Sequence, residues 1–263
     1  DKEISEYKNI AFESEILANT VQNKLTEHGI KRLIITLNKA LDFFSKQNIT
    51  TIFAFATSAM RDVVNFDEIN NQTNKQCKIN IELLSEQDEM LCDYYSLKYA
   101  LKNVTNGVGM DLGGGSCQVI TFFDDELKSG KSLPIGVKRL FFKFGDYCEG
   151  IIPDLRTHIN NELKKLELYP SDNLYLMGGT AKSILKIIKS DSKIKTAGFS
   201  QEQLEKIFTL DLNEKKYASI LHYRTQTIKF GAEVIYQIAK RVNAKNIIVL
   251  LNGSREGYVI KNI

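Results

Sequence analysis

The apolar positions in the first part of the chain follow two different spacings. In residues 29–48 they recur at every third or fourth position, which is typical of an amphipathic helix. Residues 50–56 and 78–84 are shorter runs of β-branched and apolar residues, and they are predicted to form buried strands. The helical pattern is carried by Ile30, Leu33, Ile34, Leu37, Leu41 and Phe44.

Two further segments connect these elements. Residues 58–74 are predicted to begin as a helix and to end in a polar loop. Ser85 has an acidic residue, Asp88, three positions later, and this capping-box pattern predicts a helix that extends to about Lys102. Helices and strands therefore alternate up to this point, which favours a largely parallel sheet covered by helices.

A polar break at residues 103–106 is the predicted domain boundary. We expect an N-terminal lobe over residues 1–105 and a C-terminal lobe over residues 106–263, so the predicted fold class is α/β with two lobes. Strands are predicted in the C-terminal lobe at 108–112, 116–123, after Asp124-Asp125, at 173–177 and at 246–251, and helices at 137–145, 154–168, 181–189, 200–208 and 226–243.

Three of these strands run directly into glycine turns. The turns are Gly113–Ser116, Gly178–Thr180 and Gly253-Ser254. Ligands of open α/β sheets bind beyond the carboxyl ends of the strands. The pattern therefore predicts one cleft with several pockets of the size of a phosphate group.

Composition excludes several classes of protein. Of the 263 residues, 43% are hydrophobic and 25% are charged, as in ordinary soluble proteins. No apolar run approaches the roughly 18 residues of a membrane helix. The formal net charge of +3 produces only a weak electrostatic field for a chain of this length. Nucleic-acid-binding proteins instead depend on clustered Lys and Arg for their affinity. We therefore expect neither DNA nor a membrane as a partner.

The cysteines argue against a metal cluster and against a disulfide framework. Cys77, Cys92, Cys117 and Cys148 are too far apart for metal-ligand pairs, and the three histidines are scattered. Four reduced thiols and a charged start, Asp1-Lys2-Glu3, without the apolar segment of a signal peptide, predict a cytoplasmic protein.

The most glycine-rich turn follows Asp111 and consists of Gly113, Gly114, Gly115 and Ser116. Glycines let the backbone approach an anion closely and point several N–H groups at it, and the serine hydroxyl adds a donor. Asp111 at the end of its strand is a candidate Mg²⁺ ligand. A tight hairpin in which Asp111 caps the turn explains the same residues, and both interpretations stay open.

The turn after the strand at 173–177 contains Gly179 and Thr180. Free N–H groups at a helix start, the helix dipole and the Thr180 hydroxyl together form a candidate anion site. Thr180 is equally a good helix N-cap. The sequence does not decide between these two roles.

Ser58 and Arg61 follow the strand at 50–56. Ser58 can cap the next helix, and Arg61 then lies in its first turn, where a cation opposes the helix dipole. An anion bound by Arg61 would explain this placement, and so would an ion pair with Asp62.

Two more charged residues complete the candidate set. Glu89 lies in the first turn of the helix opened by Ser85, where the dipole stabilises a carboxylate. Its functional alternative is a general base that orients a water for attack on phosphorus, and Glu86 and Asp88 compete for that role. Arg255 can hold a phosphate bidentately or pair with a nearby acid.

Taken together and in order, six segments resemble the exopolyphosphatase/guanosine pentaphosphate phosphatase (Ppx/GppA) family. Each is short, but they extend along the chain from Ala56 to Gly257 at the family's spacing. The resemblance implies an actin-like fold in which two ribonuclease-H-like lobes flank a central cleft. The six segments are Ala56–Asn65, Ile81–Glu89, Asp111–Ser116, Leu133–Leu140, Gly179–Ala181 and Arg255–Gly257.

The resemblance also implies an activity. Members remove the terminal phosphate from polyphosphate, or the 5′ phosphate of guanosine pentaphosphate, with Mg²⁺ as cofactor, and a homodimer is common in the family. By motif, Glu89 is the general base and Arg61 neutralises the phosphoryl charge. The candidate metal ligands are Asp111, Glu89 and Gln118, and the candidate phosphate-binding residues are Gly113, Gly114, Gly115, Ser116, Gly179, Thr180, Ser58 and Arg255.

Two features depart from the family pattern. Where the family has a Glu after the glycine loop, this chain has Gln118, which keeps the side-chain shape but not the charge. Either metal affinity or turnover is then lower, or a neighbour such as Glu89 takes over part of the role. The family also has an N-terminal strand with an Asp-x-Gly-Ser/Thr-Asn turn. The sequence starts after that segment, so either this first phosphate loop lies upstream of Asp1 or the N-terminal lobe departs from the family's fold.

Three hypotheses about function remain. The first is a phosphoanhydride hydrolase, the second is a weakened member that binds polyphosphate or guanosine penta- or tetraphosphate as a sensor, and the third is a sugar- or acetate-kinase relative, for which no adenosine pocket is identified. The sequence does not choose between polyphosphate and guanosine pentaphosphate. A basic track would favour long polyphosphate, although a solvated helix face explains the same residues, Lys182, Lys186, Lys189, Lys193 and Lys195.

Overall fold

The computed structural model describes residue 10 and residues 12–192, 196–221 and 224–262. The chain divides into two compact units, Asp1–Glu86 and Gln87–Ile263. The sequence places a lobe boundary later, between residues 105 and 106. The helix over residues 86–100 accounts for the difference, because its Leu97 packs with Phe122 and Tyr175 of the second unit.

The first unit is built around one amphipathic helix. Thr26 accepts a hydrogen bond from the backbone N–H of Gly29 (3.1 Å) and so caps this helix, whose prediction over residues 29–48 is confirmed. Its Ile30 and Ile34 pack into a small core with Leu25 and Ile69. In chain order, the elements are β1 (Thr20–Val21), β2 (Lys24–Leu25), α1 (Glu27–Lys46), β3 (Phe55–Ala56), α2 (Ser58–Arg61), α3 (Phe66–Cys77) and β4 (Glu82–Leu83).

Three predictions for this unit are wrong in extent. The strands predicted over 50–56 and 78–84 are reduced to β3 and β4, because among the described residues these two short strands pair only with each other. The polar loop predicted before residue 74 is instead the helix α3. Its Ile69, Thr73 and Cys77 are buried at intervals of four residues, so α3 is amphipathic although few of its residues are apolar.

The second unit carries the larger core and one six-stranded sheet. Its elements are α4 (Glu86–Ala100), β5 (Gly107–Leu112), β6 (Cys117–Phe123), β7 (Glu126–Leu133), α5 (Val137–Phe144), α6 (Ile152–Leu163), β8 (Asn173–Met177), α7 (Gly179–Ser192), β9 (Gly198–Phe199), α8 (Gln201–Glu205), α9 (Lys215–Leu221), α10 (Ile228–Val242), β10 (Asn246–Val249) and α11 (Ser254–Asn262).

The sheet has the strand order β7-β6-β5-β8-β10-β9. The hairpin strands β5, β6 and β7 are antiparallel, β8 and β10 run parallel to β5, and β9 is an antiparallel edge strand. Helix α10 packs in the main core on one face of the sheet, and α4 covers the other face.

The structure also contains elements that the pattern does not predict. These are the short strands β1, β2 and β9 and the helices α9 and α11. Helix α11 matters most for function, because the sequence predicts only the turn Gly253-Ser254 at its start. None of the helices in the described ranges has both the length and the apolar character needed to cross a membrane.

Candidate active site

The carboxyl ends of three parallel strands meet at one edge of the sheet in the second unit. Asp111 in β5 pairs with Met177 at the end of β8, and Val249 of β10 lies beside Leu176 of β8. The turns that follow these strands therefore lie next to one another, as the sequence predicts. Asp111 belongs to β5 itself and does not cap the hairpin turn.

A buried pair of carboxyl groups lies at this edge. The hydroxyl oxygen of Ser254, at the start of α11, is 2.6 Å from Oδ1 of Asp93 and 3.2 Å from Oδ2 of Asp111. Asp93 on α4 is 0% exposed and Asp111 is 8% exposed. The sequence predicts the turn that contains Ser254, but not Asp93 or the contact between them, because α4 and α11 come together only through the tertiary fold.

The environment disfavours two negative charges in this pair. Burial, followed by the charge of Asp111, raises the pKa of Asp93 well above its ordinary value. Burial also raises the pKa of Asp111, although hydrogen bonds from Ser254 and Asp93 and the charge of Lys182 oppose this effect. The pKa of Asp93 is raised more strongly than that of Asp111, so Asp93 is the member of the pair that takes up a proton first as the pH falls.

Glu89 lies one helical turn before Asp93, on the same face of α4. It is buried, and its charge contributes to the raised pKa of Asp93. The neighbouring candidate Asp88 instead faces the surface, where its carboxylate pairs with Lys261 at 2.6 Å. Of the acids competing for the role of general base, Glu89 is thus the one beside the carboxyl pair.

The glycine loop, Gly113–Ser116, is fixed by the start of α5. Backbone N–H groups in the first turn of α5 and one side chain donate hydrogen bonds to the carbonyl oxygens of the loop. The bonds join Val137 N to Gly113 O (3.0 Å), Lys138 N to Gly114 O (2.9 Å), Arg139 N to Gly114 O (3.1 Å) and Arg139 Nε to Gly115 O (2.8 Å).

These hydrogen bonds determine the direction in which the backbone N–H groups of the loop point. In a trans peptide the carbonyl of one residue and the N–H of the next point in opposite directions. No cis peptide occurs in the described residues, and the carbonyls of Gly113, Gly114 and Gly115 face α5. The N–H groups of Gly114, Gly115 and Ser116 therefore face away from α5, on the side of the loop opposite to these hydrogen bonds.

Gly136 allows α5 to approach the loop this closely. A Cβ atom at this position would lie 2.3 Å from the carbonyl carbon of Gly115, 2.4 Å from Ser116 N and 2.5 Å from Gly114 O. All three neighbours are backbone atoms, so no side-chain movement relieves the contact. The glycine lies within the family-like segment Leu133–Leu140, but its role is visible only in the structure.

Gln118 lies directly across the hairpin from Asp111. Its amide nitrogen donates to the hydroxyl oxygens of Ser116 (2.8 Å) and Ser132 (3.0 Å), and the side chain is buried. The amide thereby links the glycine loop to β7. This contact adds a structural role to the position at which the family pattern has a carboxylate.

The second glycine turn is shaped by Asp111. Gly178 has a φ of +92°, and a Cβ here would lie 2.5 Å from Oδ1 of Asp111. Helix α7 begins at Gly179, so Thr180 lies inside the first turn and is not the N-cap, and its methyl group packs against Gly231. The N–H groups at the start of α7 therefore lie close to the carboxyl pair.

Arg224 is a cation at this helix start that sequence analysis missed. A Cβ on Gly179 would lie 2.6 Å from a guanidinium nitrogen of Arg224, so the guanidinium covers the first turn of α7. A positive group beside the positive end of a helix is disfavoured unless an anion is shared between them. Nothing in the sequence around Arg224 signals this position, which depends on the packing of residues 224–227 before α10.

Helix α11 is held against α4 at close range. A Cβ on Gly257 would lie 1.7 Å from the carbonyl oxygen of Cys92, so only glycine fits there. Glu256 accepts a hydrogen bond from Gly253 N (2.8 Å), which fixes the first turn. Arg255 is exposed and its guanidinium is 3.9 Å from Glu256, in line with the alternative that it pairs with a nearby acid.

Ser58 and Arg61 belong to the first unit. Thr57 occupies the N-cap position of α2 and Ser58 is its first residue, so Ser58 does not cap the helix as expected. Arg61 donates a hydrogen bond to the carbonyl of Leu84 (2.9 Å). The remaining candidates, Glu89, Asp111, the two glycine turns and Arg255, are all in the second unit.

The candidate basic track is only partly described. Lys182, Lys186 and Lys189 follow one another along α7, and Lys182 donates a hydrogen bond to the carbonyl of Leu251. Lys193 and Lys195 lie outside the described residues. The described lysines thus include one that contacts the backbone after β10.

The donor set beside Asp111 suits Mg²⁺. Mg²⁺ is usually bound by one or two carboxylates together with water and substrate phosphates. No group of three or more His, Cys, Asp or Glu side chains among the described residues is arranged to hold a metal. Asp111 offers hard oxygen ligands and keeps a small exposed surface, whereas Asp93 is fully buried. A single accessible carboxylate fits a Mg²⁺ ion that substrate phosphates help to bind.

Comparison with known proteins gives a family and several relatives. The profile of the Ppx/GppA phosphatase family matches residues 15–263. Exopolyphosphatase 1 of Mycobacterium tuberculosis is 28% identical over 127 residues, which are 47% of this chain but only 36% of that protein. The bifunctional 3-dehydroquinate synthase/phosphatase of Fusobacterium nucleatum is 25% identical over an alignment of 289 residues, covering 97% of this chain and 43% of the relative.

Solved structures agree on the fold. An exopolyphosphatase from Cytophaga hutchinsonii matches with a TM-score of 0.81 at 18% identity, over 92% of this chain and 84% of that one. The Ppx/GppA protein of Aquifex aeolicus matches with a TM-score of 0.74 at 21% identity, over 92% and 83%. The predicted α/β, actin-like fold class is thereby confirmed. The chain belongs to the Ppx/GppA phosphatase family.

Proposed function

We propose that this protein is a Mg²⁺-dependent phosphoanhydride hydrolase that removes the terminal phosphate from inorganic polyphosphate. One observation carries the proposal: the N–H groups of Gly114, Gly115 and Ser116 face away from α5 in the loop that follows Asp111. Such donors would bind phosphate oxygens beside the carboxylate of Asp111, which belongs to β5, the strand that leads into the loop. Family membership and the exopolyphosphatase relatives support polyphosphate as the substrate.

The proposed mechanism assigns each group a separate task. The glycine loop and the first turn of α7 would bind phosphate oxygens through backbone N–H groups. Glu89 would accept a proton from the attacking water and orient it toward phosphorus. Asp111 would hold Mg²⁺, which neutralises charge on the phosphates when bound. The assignment of Arg61 to the phosphoryl charge rests on the family motif and stays a prediction.

A release assay tests the proposal on the full chain. With Mg²⁺ present, polyphosphate should yield orthophosphate from chain ends, and chelation of the metal should abolish release. Guanosine pentaphosphate is the second proposed substrate, and its conversion to tetraphosphate measures that specificity separately. ATP-dependent phosphorylation of a small acceptor, with no phosphate release from either compound, would contradict the proposal and favour the kinase relative.

Gln118 favours a second candidate function, a sensor that binds polyphosphate or guanosine pentaphosphate without turnover. Its neutral amide is directed at Ser116 and Ser132, where the family pattern has a carboxylate. Calorimetry decides between the candidates. Tight binding without phosphate release supports the sensor, whereas rapid release from the same preparation eliminates it.

Restoring the family's carboxylate should make stability depend on the metal. In Gln118→Glu a second buried carboxylate would face Asp111 across the hairpin, and like charges in this position repel. Without Mg²⁺ we expect the free energy of unfolding to fall by about 2 kcal/mol, and added Mg²⁺ should recover most of the loss. Thermal unfolding with and without the ion measures both changes.

Gln118→Met is the matched control for this variant. Methionine removes both hydrogen bonds of the amide without adding a charge, so any loss of stability in this variant should not respond to Mg²⁺. If Gln118→Glu were as stable as the natural protein in the absence of metal, the inferred repulsion between positions 111 and 118 would be wrong.

A further inference from the structure

We propose that Asp93 is a positioning residue of the hydrolytic site, which holds the carboxylate of Asp111 through Ser254. The inference adds a residue to the proposed hydrolytic site. Only the expected changes in kcat rest on the proposed function, whereas the expected changes in metal binding do not. It starts from one contact: a single hydroxyl oxygen lies 2.6 Å from Asp93 and 3.2 Å from Asp111.

Burial separates the roles of the two carboxyl groups. Asp93 is completely inaccessible, whereas Asp111 retains 8% of its surface. A group without exposed surface cannot touch a substrate that arrives from solvent, so Asp93 lies behind Asp111. It acts on the reaction only through the orientation that it imposes on other groups.

Helix α4 carries Asp93 and helix α11 carries Ser254, and the two helices pack in direct contact. Gly257 packs directly on the backbone of Cys92, the residue before Asp93. Glu256 fixes the start of α11 by accepting the hydrogen bond from Gly253. Ser254 is therefore held close to Asp93, and a change at Asp93 reaches Asp111 without rearrangement of the two helices.

Stability does not explain a carboxyl group at this position. Transfer of a carboxyl group into a protein interior is costly, and apolar residues of similar volume are often as stable or more stable. The hydrogen-bond partners of Asp93 include Ser254 and Asp111, and the second of these is itself a carboxyl group whose negative charge disfavours a charge on Asp93. A carboxyl group buried beside Asp111 is expected where function requires it.

The test uses Asp93→Leu, Asp93→Asn and Ser254→Ala in the full chain. Leucine has a similar branched shape but removes every hydrogen bond, and asparagine keeps an acceptor for Ser254 and a donor toward Asp111. Ser254→Ala removes the hydroxyl group that contacts both carboxyl groups and leaves α4 unchanged. It therefore tests the same contact if Asp93→Leu does not fold. Asp88→Asn is the matched control, because Asp88 lies on the same helix but pairs with Lys261 at the surface.

Three measurements are made on each variant. Mn²⁺ binding by electron paramagnetic resonance reports the metal site without turnover, phosphate release against Mg²⁺ gives kcat and the half-saturating metal concentration, and thermal unfolding reports stability. For Asp93→Leu and Ser254→Ala we expect Mn²⁺ affinity to fall about tenfold or more, with unfolding of Asp93→Leu unchanged or at higher temperature. Asp93→Asn should stay within about threefold of the natural protein.

The outcomes separate this inference from the proposed function. If Asp93→Leu and Ser254→Ala bind Mn²⁺ like Asp88→Asn, the positioning role is refuted. If Asp93→Asn loses as much affinity as Asp93→Leu, the charge of Asp93 matters more than its hydrogen bonds, and the positioning role is again refuted. If the natural protein releases no phosphate but the Mn²⁺ pattern is as expected, the inference stands and the proposed hydrolase activity fails.

Discussion

Replacement of Glu89 by glutamine is expected to lower kcat for phosphate release by about two to four orders of magnitude. Glutamine has the same shape but cannot accept a proton from water, and general base catalysis contributes about that much. Stability should not fall, because Glu89 is buried beside Asp93 and its charge is unfavourable to that pair. The measurement is steady-state phosphate release at saturating Mg²⁺, combined with thermal unfolding.

The neighbouring residue provides the control for this prediction. Asp88→Asn removes a carboxylate one position earlier on α4, but this side chain is 41% exposed and pairs with Lys261. An exposed ion pair contributes little, so kcat should stay within about twofold and stability within about 1 kcal/mol. Equal kcat values for Glu89→Gln and Asp88→Asn would remove Glu89 from the role of general base.

A methyl group at Gly136 is expected to disrupt the glycine loop. Its carbon would lie 2.3–2.5 Å from three backbone atoms of Gly114, Gly115 and Ser116. Either α5 or the loop must then move, at a cost of about 3 kcal/mol in the free energy of unfolding. Displacement of the donors by about 1 Å should reduce kcat/KM by about 100-fold. Chemical denaturation and phosphate release of Gly136→Ala measure these two effects.

Gly150→Ala is the matched control for Gly136→Ala. A Cβ at Gly150 meets no atom within 4 Å, so the substitution adds the same methyl group without a contact. It should leave kcat/KM unchanged, and any effect on stability should be below about 1 kcal/mol. If Gly136→Ala behaved like this control, the loop would not depend on close contact with α5.

The strongly periodic parts of the fold could be predicted from the sequence. Helix α1 and the hairpin β5-β6 have apolar patterns long enough to identify their type, and the structure confirms both. Helix α3 was missed because Ile69, Thr73 and Cys77 form a narrow buried stripe within a polar segment. The strand at 50–56 shortened for a different reason, since strand length depends on a partner that the local sequence does not reveal.

The residues of the candidate site also fall into those that the sequence predicts and those that only the tertiary fold shows. The glycine turns after β5, β8 and β10 were visible because turns at strand ends have a recognisable composition. Asp93, Arg224 and the contacts of Ser254 with the carboxyl pair were not visible, because each depends on a residue far away in the sequence. Only the four-residue interval between Glu89 and Asp93 gave a local sign, as it places two acids on one helical face.

The contact between α5 and the glycine loop has a thermodynamic consequence. The carbonyl group of each loop peptide accepts a hydrogen bond from α5, and its N–H group lies on the opposite side. An anion bound by these N–H groups would polarise the same peptides and so strengthen their hydrogen bonds to α5. Occupancy of the loop and helical order in α5 are therefore linked equilibria, and the coupling is reciprocal. A change that stabilises α5 would therefore raise the affinity of the loop for an anion, and a bound anion would stabilise α5 by the same coupling free energy.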